Sequence, residues 1–262
     1  MITRNLRKSL SAATFVAAGF LIASTASRAT VVDLTGSNNS GSIGDAQFVF
    51  TQPQPTGTGV IQPFLRVQND PVEQGYNTSG GTPFDDKAGP WTHDLTFADL
   101  QTSTVVLNGT SYFQLLLDVN EPGGSKSLIT LDQLQFYTSS HGSLTTTDIS
   151  SLGTLRYSFA AGDAVNLDAA RNHGSGSGDM YAYIPTSAFA GTDSSDFVYM
   201  YVHFGDADPS QGGFEEWALV VNASPIPEMG TFFPVIGLMV AVFSTRALRR
   251  RQLVQIARRR NQ

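Results

Sequence analysis

The chain contains no cysteine, and only 15% of its 262 residues are charged. The first absence excludes a disulfide framework and leaves the core and bound ions as the sources of stability. The second excludes a coiled coil and a disordered acidic tail. Histidine is scarce as well: His93, His141, His173 and His203 lack the His-x-x-x-His spacing of a metal site. No Gly-x-Ser-x-Gly elbow occurs, and Gly174, Gly176 and Gly178 do not open a helix, so hydrolase and dinucleotide signatures are both missing. Cations are sparse through the long middle of the chain, where Arg66, Lys87, Lys126, Arg156 and Arg171 stand against 21 acidic residues between positions 30 and 225, a net charge of −16. Residues 1–29 carry +4 and the last 37 residues +6. An acidic body between basic ends argues against nucleic acid as a partner, because phosphate binding needs a cationic face on the folded part.

The basic ends have their own explanation. Arg4, Arg7 and Lys8 precede the apolar run 10–23 (LSAATFVAAGFLIA), and the small-residue tract 24–29 (STASRA) follows. This is the three-part layout of a secretory signal peptide, with cleavage expected after Ala26 or Ala29. At the other end, residues 229–245 (MGTFFPVIGLMVAVFST) carry no charge. As a helix they reach about 25 Å, close to the roughly 30 Å of the hydrocarbon layer, and arginines can snorkel across the difference. Apolar side chains surround the whole circumference of that helix, so it has no polar face for water. Arg246, Arg249, Arg250 and Arg251 follow, and retention of such a block inside the cell places the acidic body outside. The chain therefore divides into a signal peptide (1–29), an extracellular domain (30–224) and a tail (225–262), the tail comprising a transmembrane helix (229–245) and a basic cytoplasmic end (246–262).

Pro225, Ile226, Pro227 and Glu228, followed by a short apolar span and a closing arginine cluster, resemble the PEP-CTERM sorting signal of Gram-negative bacteria. The resemblance covers about the last 30 residues, and Met229 departs from it by standing where a second proline is usual. It implies an exosortase-like enzyme as partner, with Pro227 and Glu228 as the recognition dipeptide and Arg246, Arg249, Arg250 and Arg251 as the stop-transfer cluster. It also implies a protein anchored in the inner membrane during sorting and then passed to the cell envelope or exterior. Segments 66–78, 113–120 and 128–136 also look like parts of other exosortase-sorted proteins of unknown activity.

The body reads as all-β. Runs rich in Val, Ile, Phe, Tyr and Thr fall at 47–51, 59–67, 93–97, 103–107, 112–119, 128–137, 154–160, 180–184, 197–204 and 215–221, separated by Gly, Asn, Asp, Ser and Pro. Asn108 and Gly109 predict a tight hairpin and 121–124 the next turn. No blade-length repeat occurs, so about ten strands favour a single jelly-roll-like β-sandwich over a propeller. Helix is expected only as single turns at 97–100 and 185–189, with a loop at 172–178 and a short link at 222–229.

Two site chemistries suggest themselves. Calcium is the candidate cofactor, because acidic loops bind it outside cells. Asp206 and Asp208 lie within eleven residues of Glu215 and Glu216, without the Gly and Glu of an EF-hand, and Asp118, Asn120 and Glu121 form a second group. Glycan is the candidate ligand. Strand alternation puts Tyr199 and Tyr201 on one face of 197–204, and Tyr181 and Tyr183 on one face of 180–184; neighbouring strands would join them into a platform. A second packed layer would account for the same pattern without a ligand. The expectation is an exported envelope or matrix protein with an adhesive or structural sandwich. Its alternatives are a surface carbohydrate-binding module and, with less support, a glycoside-active enzyme.

Overall fold

The computed structural model describes residues 29–36, 40–51, 62–172, 176 and 178–221. In chain order the strands are β1 (Val31–Asp33), β2 (Ser40–Ile43), β3 (Ala46–Phe50), β4 (Pro63–Val67), β5 (Glu73–Tyr76), β6 (Leu95–Thr96) and β7 (Thr104–Leu107). They continue as β8 (Thr110–Val119), β9 (Leu128–Ser139), β10 (Thr154–Ser158), β11 (Ala164–Asp168), β12 (Met180–Pro185), β13 (Phe197–Phe204) and β14 (Glu215–Leu219). Among the described residues helix is confined to α1 (Phe97–Gln101) and to 3-10 turns at Gly124–Lys126, Ile149–Leu152 and Thr186–Phe189. Thr96 starts α1 with a capping box, exchanging hydrogen bonds with Asp99.

The strands form two sheets. The first is ordered β1-β11-β9-β13-β5, with β10 on β9 and β6 on β13; the second is ordered β2-β3-β12-β8-β14-β4, with β7 on β8. β1 and β11 run parallel and the other pairs antiparallel. Alternation sets the inner faces. Val198, Met200, Val202 and Phe204 of β13 point inward with Leu134 and Phe136 of β9, and they meet Phe113, Leu115 and Leu117 of β8 and Ala182 and Ile184 of β12 in one buried cluster. Phe189, from the last 3-10 turn, joins the layers: its ring lies 5.3 Å from Phe113 of the second sheet and 5.9 Å from Phe136 of the first.

The β7–β8 hairpin turns at Asn108 (φ 51°) and Gly109 (φ 83°), the paired positive dihedrals that the sequence predicts there. Both expected helical turns are present, and the segment expected as strand at 93–97 shrinks to the two residues of β6 because Phe97 begins α1. Strands β2, β5 and β11 go beyond the expected set. Their sequences, SGSI, EQGY and AVNLD, are too small or polar to read as strands alone. In β5 the glycine is required by packing, since a Cβ on Gly75 would stand 2.8 Å from Val67 Cγ1.

Among the described residues no helix is long and apolar enough to cross a membrane. The signal peptide, the span 229–245 and the sorting residues Pro227, Glu228, Arg246, Arg249, Arg250 and Arg251 lie outside the described residues.

Truncation of the bridging ring, Phe189→Ala, is expected to destabilise the domain by about 3–5 kcal/mol through lost burial and a residual cavity. The midpoint of urea unfolding, compared with wild type at unchanged m-value, checks it.

Candidate functional site

The four tyrosines do not form one platform, because β12 belongs to the second sheet and β13 to the first. Tyr199 and Tyr201 are buried with Tyr76, Tyr137 and Leu152 beneath the segment that follows β9, with Phe84, Leu144 and Ile149 packed around them. Their rings meet edge to face: Tyr76 lies 5.8 Å from Tyr199, and Phe84 lies 6.0 Å from Tyr201. Their hydroxyls are satisfied internally, Tyr199 donating to the His141 carbonyl and Tyr201 to Gln74 Oε1. Burial raises both phenols, Tyr201 to about 12. This is the second packed layer, and the glycan assignment of Tyr199 and Tyr201 is corrected accordingly.

Tyr181 and Tyr183 are different. They stand half-buried on the outer face of the second sheet, where Tyr183 pairs across to Gln47 of β3 and Gln114 of β8, and Tyr181 pairs to Val49 and Leu116. Tyr112 joins the same face, its ring 6.3 Å from that of Tyr183, while Tyr183 lies 6.1 Å from Tyr181. Gln47 Nε2 donates to the Tyr112 hydroxyl at 2.9 Å, and Gln114 Nε2 to the Tyr183 hydroxyl at 3.3 Å. Each phenol oxygen thus accepts from an amide. A shallow cavity of about 410 Å³, lined by Ser42, Asp45, Gln47, Thr110 and Tyr112, opens at the end of this row. Farther along the face Arg66 pairs with Glu216 and lies between the Trp91 and Phe214 rings, 4.5 and 4.6 Å from their centres.

The acidic residues also regroup. Asp206 does not join Asp208; it meets Asp132 and His203, whose ligand atoms all lie within 4.8 Å of one another. Between β9 and β13 the register shifts so that His203 opposes Gln133 and Phe204 opposes Leu131, leaving Asp132 as an extra residue turned toward the Asp206 loop. Asp206 donates its backbone N–H to Asp132 Oδ2 at 2.8 Å, and burial raises the Asp132 carboxyl against that bond. His203 Nδ1 is buried without a hydrogen-bond partner. Two carboxylates and one imidazole make a mixed donor set, which suits a transition-metal ion better than calcium. Asp132 and Asp206 also line an open cleft of about 670 Å³ with Gln133, Gln135 and Asn166.

Asp208 faces elsewhere, its N–H donating to Thr130 Oγ1 at 3.1 Å and its carboxylate accepting from that hydroxyl. Asp118 lies on the outer face of the second sheet opposite Glu216 and accepts the Gly176 N–H at 2.6 Å. Burial raises the Asp118 carboxyl, against hydrogen bonds from the Gly176 N–H and the Asn120 side chain. Asp206 and Asp208 therefore do not form one calcium pair, whereas Asp118 and Asn120 lie together. The groupings with Asp132, His203 and the glutamines escaped sequence reading because they depend on one bulge and on which strands become neighbours.

One further carboxyl, Asp179, is buried at the start of β12. Loss of water raises it to about 8 against the hydrogen bond from the Val119 N–H; Asp118 and Asp168 push it the same way and Arg171 opposes them. Between about pH 4, where an unfolded aspartate ionises, and pH 8 the folded chain holds a proton here that the unfolded chain has lost, so stability falls as pH rises. In Asp179→Asn this component, about 1 kcal/mol per pH unit, should vanish, and unfolding midpoints across that range check it. No model of a known family, no curated protein and no solved structure matches the chain.

Proposed function

We propose that the protein is an exported cell-envelope component whose β-domain adheres to surface polysaccharide through the outer face of the second sheet. The observation that carries this reading is the row Gln47, Tyr183 and Gln114 beside Tyr181 and Tyr112. Tyrosine rings offer flat apolar area to the C–H faces of a sugar, and phenols and amides at their edges hydrogen-bond its hydroxyls. From β11 to β14 successive strands alternate between the two sheets, which is in keeping with the jelly-roll winding expected for such modules. The role is binding: Asp132 and Asp206 converge with His203 as a cation clamp would, whereas glycoside hydrolysis needs a carboxyl pair about 5 to 10 Å apart flanking the sugar.

Export rests on the charge segregation of the chain and on its PEP-CTERM-like tail, with an exosortase-like enzyme and the membrane as partners. The Thr30 backbone nitrogen lies 2.7 Å from Asp163 Oδ1. Cleavage after Ala29 would convert that nitrogen into an ammonium already paired with a carboxylate, which favours Ala29 over Ala26 as the cut.

Two measurements test this reading. In affinity electrophoresis through gels containing the host's own surface polysaccharide, the full chain should be retarded, and Tyr181→Ala combined with Tyr183→Ala should weaken retention at least about tenfold with little change in melting temperature; equal mobility of the two proteins would reject the face. Mass spectrometry of fractionated cells should find a mature chain beginning at Thr30 in the envelope or medium. An intact Met1 in the cytosol would reject export.

A further inference from the structure

His203 stands near the end of β13, on the outer face that strand alternation gives also to Tyr199 and Tyr201, opposite Gln133 of β9 and Gln74 of β5. Its Nδ1 is shut off from water and has no hydrogen-bond partner, and the side chain is only 13% exposed. Asp206 Oδ2 lies 3.8 Å away, too far for a hydrogen bond. Protonating the ring would therefore leave its Nδ1–H without an acceptor, and the neutral ring leaves a buried nitrogen unsatisfied. A third group between the nitrogen and the carboxylate serves both.

Two backbone devices bring carboxylates to that nitrogen. The bulge in β9 frees Asp132 from the ladder. Gly205, at φ 103°, turns the chain back toward β9, where its N–H donates to the Thr130 carbonyl at 3.0 Å. A Cβ on Gly205 would stand 2.4 Å from the Pro71 carbonyl oxygen, so the turn requires glycine. Asp206 then closes on Asp132 through its own N–H. One nitrogen and two oxygens thus fall within 4.8 Å of one another. A tetrahedral ion with bonds of about 2.0–2.1 Å holds its ligand atoms roughly 3.3 Å apart. A small movement of Asp206, whose side chain is 60% exposed, closes that difference. A cation at the centre also relieves the repulsion that Asp206 exerts on the Asp132 carboxyl. The cleft of about 670 Å³ bordered by Asp132 and Asp206 gives an ion its way in, and three protein ligands leave a coordination position open toward it.

We propose that Asp132, His203 and Asp206 bind one divalent transition-metal ion, of the zinc class, at the mouth of this cleft. A ring nitrogen beside two carboxylates departs from the all-oxygen shell that calcium takes. The ion ties the segment after β13 to the bulge of β9. The site lies on the first sheet and does not depend on sugar binding by the second.

The test uses the full chain in detergent, stripped with chelator and titrated calorimetrically with Zn²⁺. The wild type should take up the ion at one site, and its melting temperature should rise by about 5 °C or more once Zn²⁺ exceeds its dissociation constant a hundredfold. Asp206→Asn, at an exposed side chain whose change spares the fold, should weaken binding at least about tenfold, and so should His203→Gln. His141→Gln, in the exposed segment after β9, should leave binding unchanged. As a readout that needs no variant, Co²⁺ in place of Zn²⁺ should give the strong visible absorption of a low-coordinate site. A wild type without a one-to-one site would overturn the proposal and leave His203 and Asp206 as an ion pair. Binding unchanged in either Asp206→Asn or His203→Gln would also overturn it, by placing the ion elsewhere. Displacement of Zn²⁺ by millimolar Ca²⁺ would overturn the class of ion.

Discussion

Everything in this domain depends on two sheets hiding their inner faces from water against each other. No disulfide relieves that requirement, since the chain has no cysteine. Each long strand therefore commits alternate residues to a single shared core, and Phe189 fills the gap between layers from outside either sheet. Burying side chains of this kind contributes about 1.5–3 kcal/mol apiece before the cost of ordering them. The outward residues are released from that duty, and the two outer faces have diverged. The first sheet spends much of its face on a tyrosine-rich second layer, while the second sheet leaves tyrosines and glutamines half open.

Fold class and the longer strands were legible because alternation and turn chemistry are local. β13 matches its expected limits, and the Asn108–Gly109 turn follows from dihedrals that those residues tolerate. The short strands were not legible, because β2 and β11 owe their pairing to neighbours rather than to their own propensity, and β5 needs a glycine for clearance from Val67. The alternation of β12 and β13 was also readable, but not which sheet each would enter, and the tyrosine platform depended on that. The site residues follow the same division. Asp206 stood out as acidic, yet its companions Asp132 and His203 arrive through a bulge that nothing in the linear spacing marks. The buried carboxyls Glu73 and Glu215, far apart in sequence, likewise meet only because both sheets turn them inward at the same end.

The distribution of buried carboxyls departs from what stability alone would select. Asp179 and the Glu73–Glu215 pair occupy positions where apolar residues of similar volume would satisfy the core at lower cost. Carboxyls retained in such places make stability depend on the proton concentration.

The position of β14, the last strand among the described residues, has a temporal meaning. β14 lies between β8 and β4, and β4 reaches the second sheet only through it. A nascent or partly translocated chain that has not delivered residues 215–219 has a gap between β8 and β4, with two raw strand margins. Insertion of β14 makes the closed layer a report that the chain has been delivered past residue 219, and a product shortened before that point would announce itself to proteases by its open seam.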